Sequence, residues 1–188
     1  MTNITSSTPT REDAWKLLTE FVDAESLRRH SLSVEAAMCA HAKKFGEDEE
    51  TWGITGLLHD FDYEKYPQEH PFKGSQILQA RGYPEEIVTA ILGHAVYSGV
   101  PRETPMAKTL FAVDELCGMV MATAHIRPAH FEGLSVQSVK KNLKKKGFAA
   151  AINRHEINQG TRELGVEEEE HIQTVIDAMS NIKVELGF

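Results

Sequence analysis

Disulfide scaffolding is excluded first, because the chain has only two cysteines, Cys39 and Cys117, far apart and each within an apolar helical pattern. That usage suits buried free thiols in a reducing compartment, so a cytoplasmic location is expected. Long apolar runs are also missing. The most apolar stretch, Gly118 to Ala124, falls far short of the ~20 residues that span a bilayer, and no membrane segment is expected. No segment shows the strict alternation or β-branched clusters of strands, and no internal repeat is found. Positive charge is in deficit, with 20 Lys and Arg against 28 Asp and Glu for a net charge of −8. Such a surface repels a phosphate backbone, which argues against bulk nucleic-acid binding. Met1 to Thr10 is rich in Ser and Thr but has neither a basic region nor an apolar core, so no secretory signal is expected. Residues 1–9 read as a flexible leader.

What remains is globular: 41% hydrophobic and 26% charged residues over 188 positions, enough to bury a core without staples. Thr10 is placed to cap a helix carrying Ala14, Leu17, Leu18 and Phe21, with Trp15 beside that stripe. From Ser26 to Phe45 the apolar positions Leu27, Val34, Ala37 and Met38 recur at helical intervals, and Gly46 supplies a stop. The acidic cluster Glu47 to Glu50 opens a third helix through Trp52, Ile54, Leu57 and Leu58 into His59 and Asp60. Phe61 to Pro71 has no sustained period and reads as a loop. Pro71 starts a short helix ending near Arg81-Gly82, and Pro84 starts another with Ile87, Val88, Ile91 and Leu92. After a loop around Gly99 to Thr104 comes the most apolar helix, about Pro105 to His125, ended by Arg127-Pro128. Leu134 to Ile182 reads as two or three charged amphipathic helices. The expected architecture is therefore all-α, a single domain over 10–188, with 10–130 as a metal-binding core and 131–188 as a helical extension packed on it.

Helix faces single out the candidate ligands. His30 shares the stripe of Leu27, Val34 and Ala37 and so should face the interior. His94 continues the stripe of Ile87 and Ile91. Asp114 lies with Leu110, Val113, Cys117 and Met121, which places a carboxylate on the most apolar face of the chain. Burying that charge costs several kcal/mol unless it is paired or meets a cation. His59 and Asp60 end an apolar run, where a bend would aim both at one point. A lone histidine on an apolar stripe is more often a satisfied core residue than a ligand. Four inward-facing ligand types on four elements have no such simple packing rationale, and imidazole with carboxylate is the donor set of intermediate divalent metals. His41 lies about 16 Å along the axis from His30 at ~1.5 Å per residue, so it reads as a core or edge residue. His125, His130, His155 and His171 fall in no convergent set. The run Lys140 to Lys146 reads as a solvated helix face.

Taken in order, His30, Leu57-Leu58-His59-Asp60, His70-Pro71-Phe72-Lys73-Gly74, His94 and Asp114 resemble the HD superfamily of metal-dependent phosphohydrolases, closely over residues 26–120. The tail Arg127 to Met179 also resembles bacterial HDIG-type proteins. The resemblance implies an HD-type helical bundle in which His30, His59, Asp60 and Asp114 ligate a first ion. It further implies that Asp60, His70 and His94 occupy the extra positions of dinuclear members, with Asp60 bridging. Two departures stand out. The frequent His-Asp-Ile-Gly-Lys segment reads His59-Asp60-Phe61-Asp62-Tyr63, so its phosphate-contacting lysine is missing. The tandem His-His of some dinuclear members is His94-Ala95.

The activity so implied is hydrolysis of a phosphate ester or anhydride in a small nucleotide-like metabolite. One or two divalent ions, from among Fe, Mn, Co, Ni, Zn and Mg, would supply a water of lowered pKa. His59 and Asp60 would serve catalysis by holding the metal and orienting the water. Lys73 is the nearest cation in sequence for a phosphate, with Arg29 and Arg127 as weaker options. Two alternatives stand beside it: a mixed-valent diiron oxygenase of the HD type, and a metal-stabilised nucleotide-binding module without turnover. Expected partners are a small phosphorylated metabolite or nucleotide and, for assembly, a second copy of the chain.

Overall fold

A computed structural model describes residues 9–188. The leader read at residues 1–9 thus lies, apart from Pro9, outside the described residues. Among the described residues all regular structure is helical. The order is α1 (Arg11–Phe21), α2 (Glu25–Phe45), α3 (Glu49–Leu58), α4 (Phe72–Ala80) and α5 (Glu85–His94), then a single 3₁₀ turn (Val96–Ser98). After it come α6 (Pro105–His125), α7 (Val136–Leu143), α8 (Arg154–Leu164) and α9 (Glu168–Asn181).

Local chemistry sets most of these bounds. Thr10 and Asp13 form a reciprocal capping box on α1. Asp48, Thr104, Ser135 and Asn153 each accept a backbone N–H at the starts of α3, α6, α7 and α8. Gly46 ends α2 in the left-handed region at φ 73°, a conformation that costs a residue with a Cβ. The stretch Phe61 to Pro71 is more ordered than its lack of period suggested. Tyr66 donates its backbone N–H to the Asp62 carbonyl (2.8 Å) and His70 to that of Tyr66 (2.9 Å), so the stretch is a run of linked turns. Pro67 and Pro71, without N–H groups, stop those turns from growing into a helix. The tail resolves into three helices.

The two 21-residue helices α2 and α6 pack against each other at the centre. Helix α3 crosses α2 and also meets α5 and α6, while α1 covers α3 and α4 covers α5. Helices α7, α8 and α9 close over α6, and α9 also lies on α2. A single apolar cluster runs from Ala14 through Leu57, Ile91 and Leu116 to Val139, Ile157, Val175 and Leu186. The 131–188 helices therefore share one core with the rest. Cys117 is buried, but Cys39 is only half-buried, with its thiol donating to the Glu49 carbonyl at 3.3 Å between α2 and the start of α3. Among the described residues no helix is long and apolar enough to cross a membrane.

At two crossings the helices approach too closely to admit a side chain. A Cβ at Gly56 would stand 2.9 Å from the Val34 carbonyl oxygen, so α3 approaches the α2 backbone directly. One at Gly160 would lie 2.6 Å from the Ala112 Cα, where α8 meets α6.

Candidate metal centre

Four helices and one turn segment bring six side chains together. His30 comes from α2, His59 and Asp60 follow the last residue of α3, and His70 ends the linked turns. His94 is the last residue of α5, and Asp114 sits in the middle of α6. His30 Nε2 lies 3.0 Å from Asp114 Oδ1. His59 Nε2 lies 3.4 Å from both Asp60 Oδ2 and Asp114 Oδ1. The second Asp60 oxygen, Oδ1, lies 3.3 Å from the Nε2 atoms of both His70 and His94. Two groups of donors result, His30 with His59 and Asp60, and Asp60 with His70 and His94, each with all donor atoms within 4.8 Å of one another. Asp60 belongs to both and turns one oxygen to each.

The rings are held so that their Nε2 atoms face this centre. A carbonyl oxygen can only accept, so the Nδ1 of His59 must donate to Gly56 (2.8 Å) and that of His94 to Ile91. His70 Nδ1 donates to Asp62 Oδ1 at 2.7 Å. In each neutral ring the Nε2 then carries a lone pair, the form in which histidine binds metals. His59 Nε2 is fully buried and has no hydrogen-bond partner among the described residues. A buried lone pair facing two carboxylate oxygens is a costly arrangement that a cation relieves. The residues present therefore fit a divalent ion.

Electrostatics agree with that fit. Burial pushes the His59 imidazole down, but Asp60 and Asp114 overcome it and hold the ring well above its ordinary value. Burial likewise pushes both carboxyls up, and His59, with His94 beside Asp60 and His30 beside Asp114, holds them well below the usual range. The centre attracts positive charge. Glu115, next to Asp114, is driven up to about 7 by burial and then by the Asp114 charge.

Exposure is uneven across the centre. Asp114 and His30 face it from their apolar stripes, with side chains 21% and 24% exposed, and Asp60 is 19% exposed. His59, by contrast, is 0% exposed. The centre is thus sealed at His59 and partly open to solvent at His30, Asp60 and Asp114. Lys73 begins its helix beside His70, but its ammonium stands 5.4 Å over the Tyr66 ring.

Sequence reasoning missed Asp62. Its side chain is buried, with Oδ1 accepting from His70 and Oδ2 from the Gly74 N–H at 2.6 Å. A Cβ at Gly74 would fall 2.7 Å from the Asp62 carboxylate carbon, so only glycine admits this contact. Tyr97 donates its hydroxyl to the His70 carbonyl at 2.8 Å, and the Tyr63 ring stands edge-on to the His70 ring at 5.3 Å. His41 and His171 were also left apart. The structure joins them at 3.0 Å in the core, away from the centre.

The sequence model of the HD domain family matches residues 27–119, the stretch that carries all six side chains. The chain belongs to the HD superfamily. Comparison with curated proteins and with solved structures returns no match. HD domains form a family of metal-dependent hydrolases, and the buried His and Asp groups here are able to hold a metal. The geometry also gives the first of the two departures a meaning. In this HD domain the position of the missing lysine is Tyr63, set against His70, and the preceding position is the carboxylate that orients His70.

Proposed function

We propose that this HD domain hydrolyses a phosphate ester or anhydride bond in a small nucleotide-like metabolite, in the cytoplasm, using two divalent ions. In this reading His30, His59, Asp60 and Asp114 hold the first ion, and Asp60, His70 and His94 hold the second. The observation that carries it is Asp60, whose two oxygens each face a separate set of imidazole nitrogens. Bound divalent ions supply Lewis acidity and a water whose pKa falls from about 15.7 toward about 7.

The protein's own part is positional. Gly56 and Ile91 carbonyls fix the His59 and His94 tautomers, and Asp62 fixes that of His70, so none of these three rings has to reorient. The buried floor around His59 excludes bulk water, while the partly open edge at Asp60 and Asp114 admits a small substrate. Lys73, on the first turn after His70, is the side-chain cation carried by the same segment for an incoming phosphate. The net charge of −8 supports a small-molecule partner over a polyanion.

The test is phosphate release from a panel of nucleotides by protein loaded with Mn, Fe, Co or Mg. Metal-dependent release is expected, falling ~100-fold or more in His59→Ala and Asp60→Ala, beyond the ~10–100-fold typical of outer-shell changes. Absence of metal-dependent phosphate with every ion and every substrate refutes the reading. Aerobic and anaerobic runs are compared, because oxygen uptake without phosphate release would identify diiron oxygenase chemistry instead.

A further inference from the structure

A cavity of about 290 Å³ opens between α2 and α6, lined by Ser26, Arg29 and His30 on one side and Met121, Ala122 and His125 on the other. His30 is both a wall of this cavity and a member of the metal centre, so the two spaces adjoin. We propose that the cavity takes the non-phosphate end of the substrate, a compact apolar body bearing an acidic group that Arg29 reads. The inference rests on the hydrolase reading and names the substrate class of the same site.

Three observations carry it. The first is chemical: Met121 and Ala122 offer apolar surface, while Arg29 offers only donors, in a planar fork that matches a carboxylate or phosphate. The second is availability. Among the described residues the acid paired with Arg29 is Glu25, one turn earlier on the same helix and 75% exposed, a solvent-side pairing of small worth, and the Arg29 side chain itself keeps 33% exposure for a second anion.

The third is how these polar groups are held. A Cβ at Gly187 would run into the Arg29 guanidinium, so the 187 backbone lies against it, with φ 86° there. Leu186 anchors that segment in the core, and the Phe188 ring packs on His125 at 4.5 Å. The two ring-bearing or charged groups that flank the cavity mouth are thus braced by residues 186–188, outside the 27–119 stretch shared with the family. A guanidinium that backbone braces on one face, and that is still partly exposed, is preorganised for recognition.

Calorimetric titration of the Mn-loaded protein with phenylphosphonate and with its 3- and 4-carboxy derivatives tests this, since a phosphonate is not hydrolysed and binding is read whether or not the protein turns over. At least one carboxy isomer is expected to bind ~10-fold tighter than phenylphosphonate, as a charge-assisted hydrogen bond provides. Arg29→Met should bring that ratio to about one, and Gly187→Ala should reduce it with Arg29 still present. Ala122→Leu, which narrows the cavity from the opposite wall, should weaken all three ligands. Equal affinities in the wild type, a preference that survives Arg29→Met, or unchanged binding in Ala122→Leu overturns the proposal, as does no binding of any of them. A preference for the carboxylate without phosphate release in the nucleotide panel would keep the subsite and remove the hydrolase reading. Metal-dependent phosphate release without that preference would do the reverse.

Discussion

Asp62 is a carboxylate with both oxygens committed inside the protein, one to the His70 ring and one to the Gly74 N–H. An amide in its place would present a donor to one of these two donors. Asp62→Asn is therefore expected to loosen or flip His70 and to lower second-ion affinity by ~10–100-fold. Elemental analysis after dialysis should find close to one ion per chain in the variant against two in the wild type; two retained ions would contradict the assignment. At this scale the sequence was legible in part. His30, His94 and Asp114 stood out because a helix repeats every 3.6 residues and a polar group on its apolar stripe breaks the pattern. His70 emerged only through the family resemblance, and Asp62 not at all. Both lie in a segment without a period, where nothing in the one-dimensional pattern says which way a side chain points.

Helices deliver the candidate ligands, and their crossings decide whether these side chains meet. Helix α3 brings His59 to His30 by laying Gly56 on the α2 backbone, with Met38 Cγ also 2.9 Å from the position a Cβ would take. Gly56→Ala should destabilise the fold by about 1–3 kcal/mol through overpacking. Because any relief must lift α3 away from α2, metal affinity should fall with it, measured by thermal melts and metal titration on the same samples. A variant as stable as wild type with full metal affinity would show that the crossing is looser than the structure has it. Element bounds were legible where local chemistry marks them, as at the Thr10 cap, the acidic opening of α3, the Pro105 start of α6 and the Gly46 stop. The crossings were not, since a glycine inside a helical run looks the same whether it faces solvent or a neighbouring backbone.

For the molecule as a whole, the join between the N-terminal helices and the tail includes a buried pair of imidazoles. His41 Nδ1 donates to the Ala37 carbonyl at 2.8 Å and His171 Nε2 to that of Ala112 at 3.2 Å, while their other nitrogens face each other. Two neutral rings have two N–H groups for these three contacts, so the pair joins α2, α6 and α9 with one contact short of a proton. Burial pushes both rings down, His171 to about 4, and each is lowered further by Lys44, which is itself tied to Glu170. The folded protein thus resists a proton that the unfolded chain accepts at about 6.5. The stability this neutrality represents is present above pH ~6.5 and is lost as pH falls toward 4. Urea unfolding across that range should show His171→Gln losing stability less steeply than wild type, by about one proton per molecule. Equal slopes would mean that the pair titrates alike in both states.

Sequence alone determined the helical class, many helix ends, that no described helix is long and apolar enough to cross a membrane, and the residue types of a candidate metal centre, because periodicity, caps and charge are local properties of the chain. Only the tertiary structure decided that Asp60 turns an oxygen to each of two ligand groups, that Asp62 holds His70, and that residues 186–188 brace Arg29. Those depend on distances between segments far apart in the chain, which packing sets and no local pattern encodes.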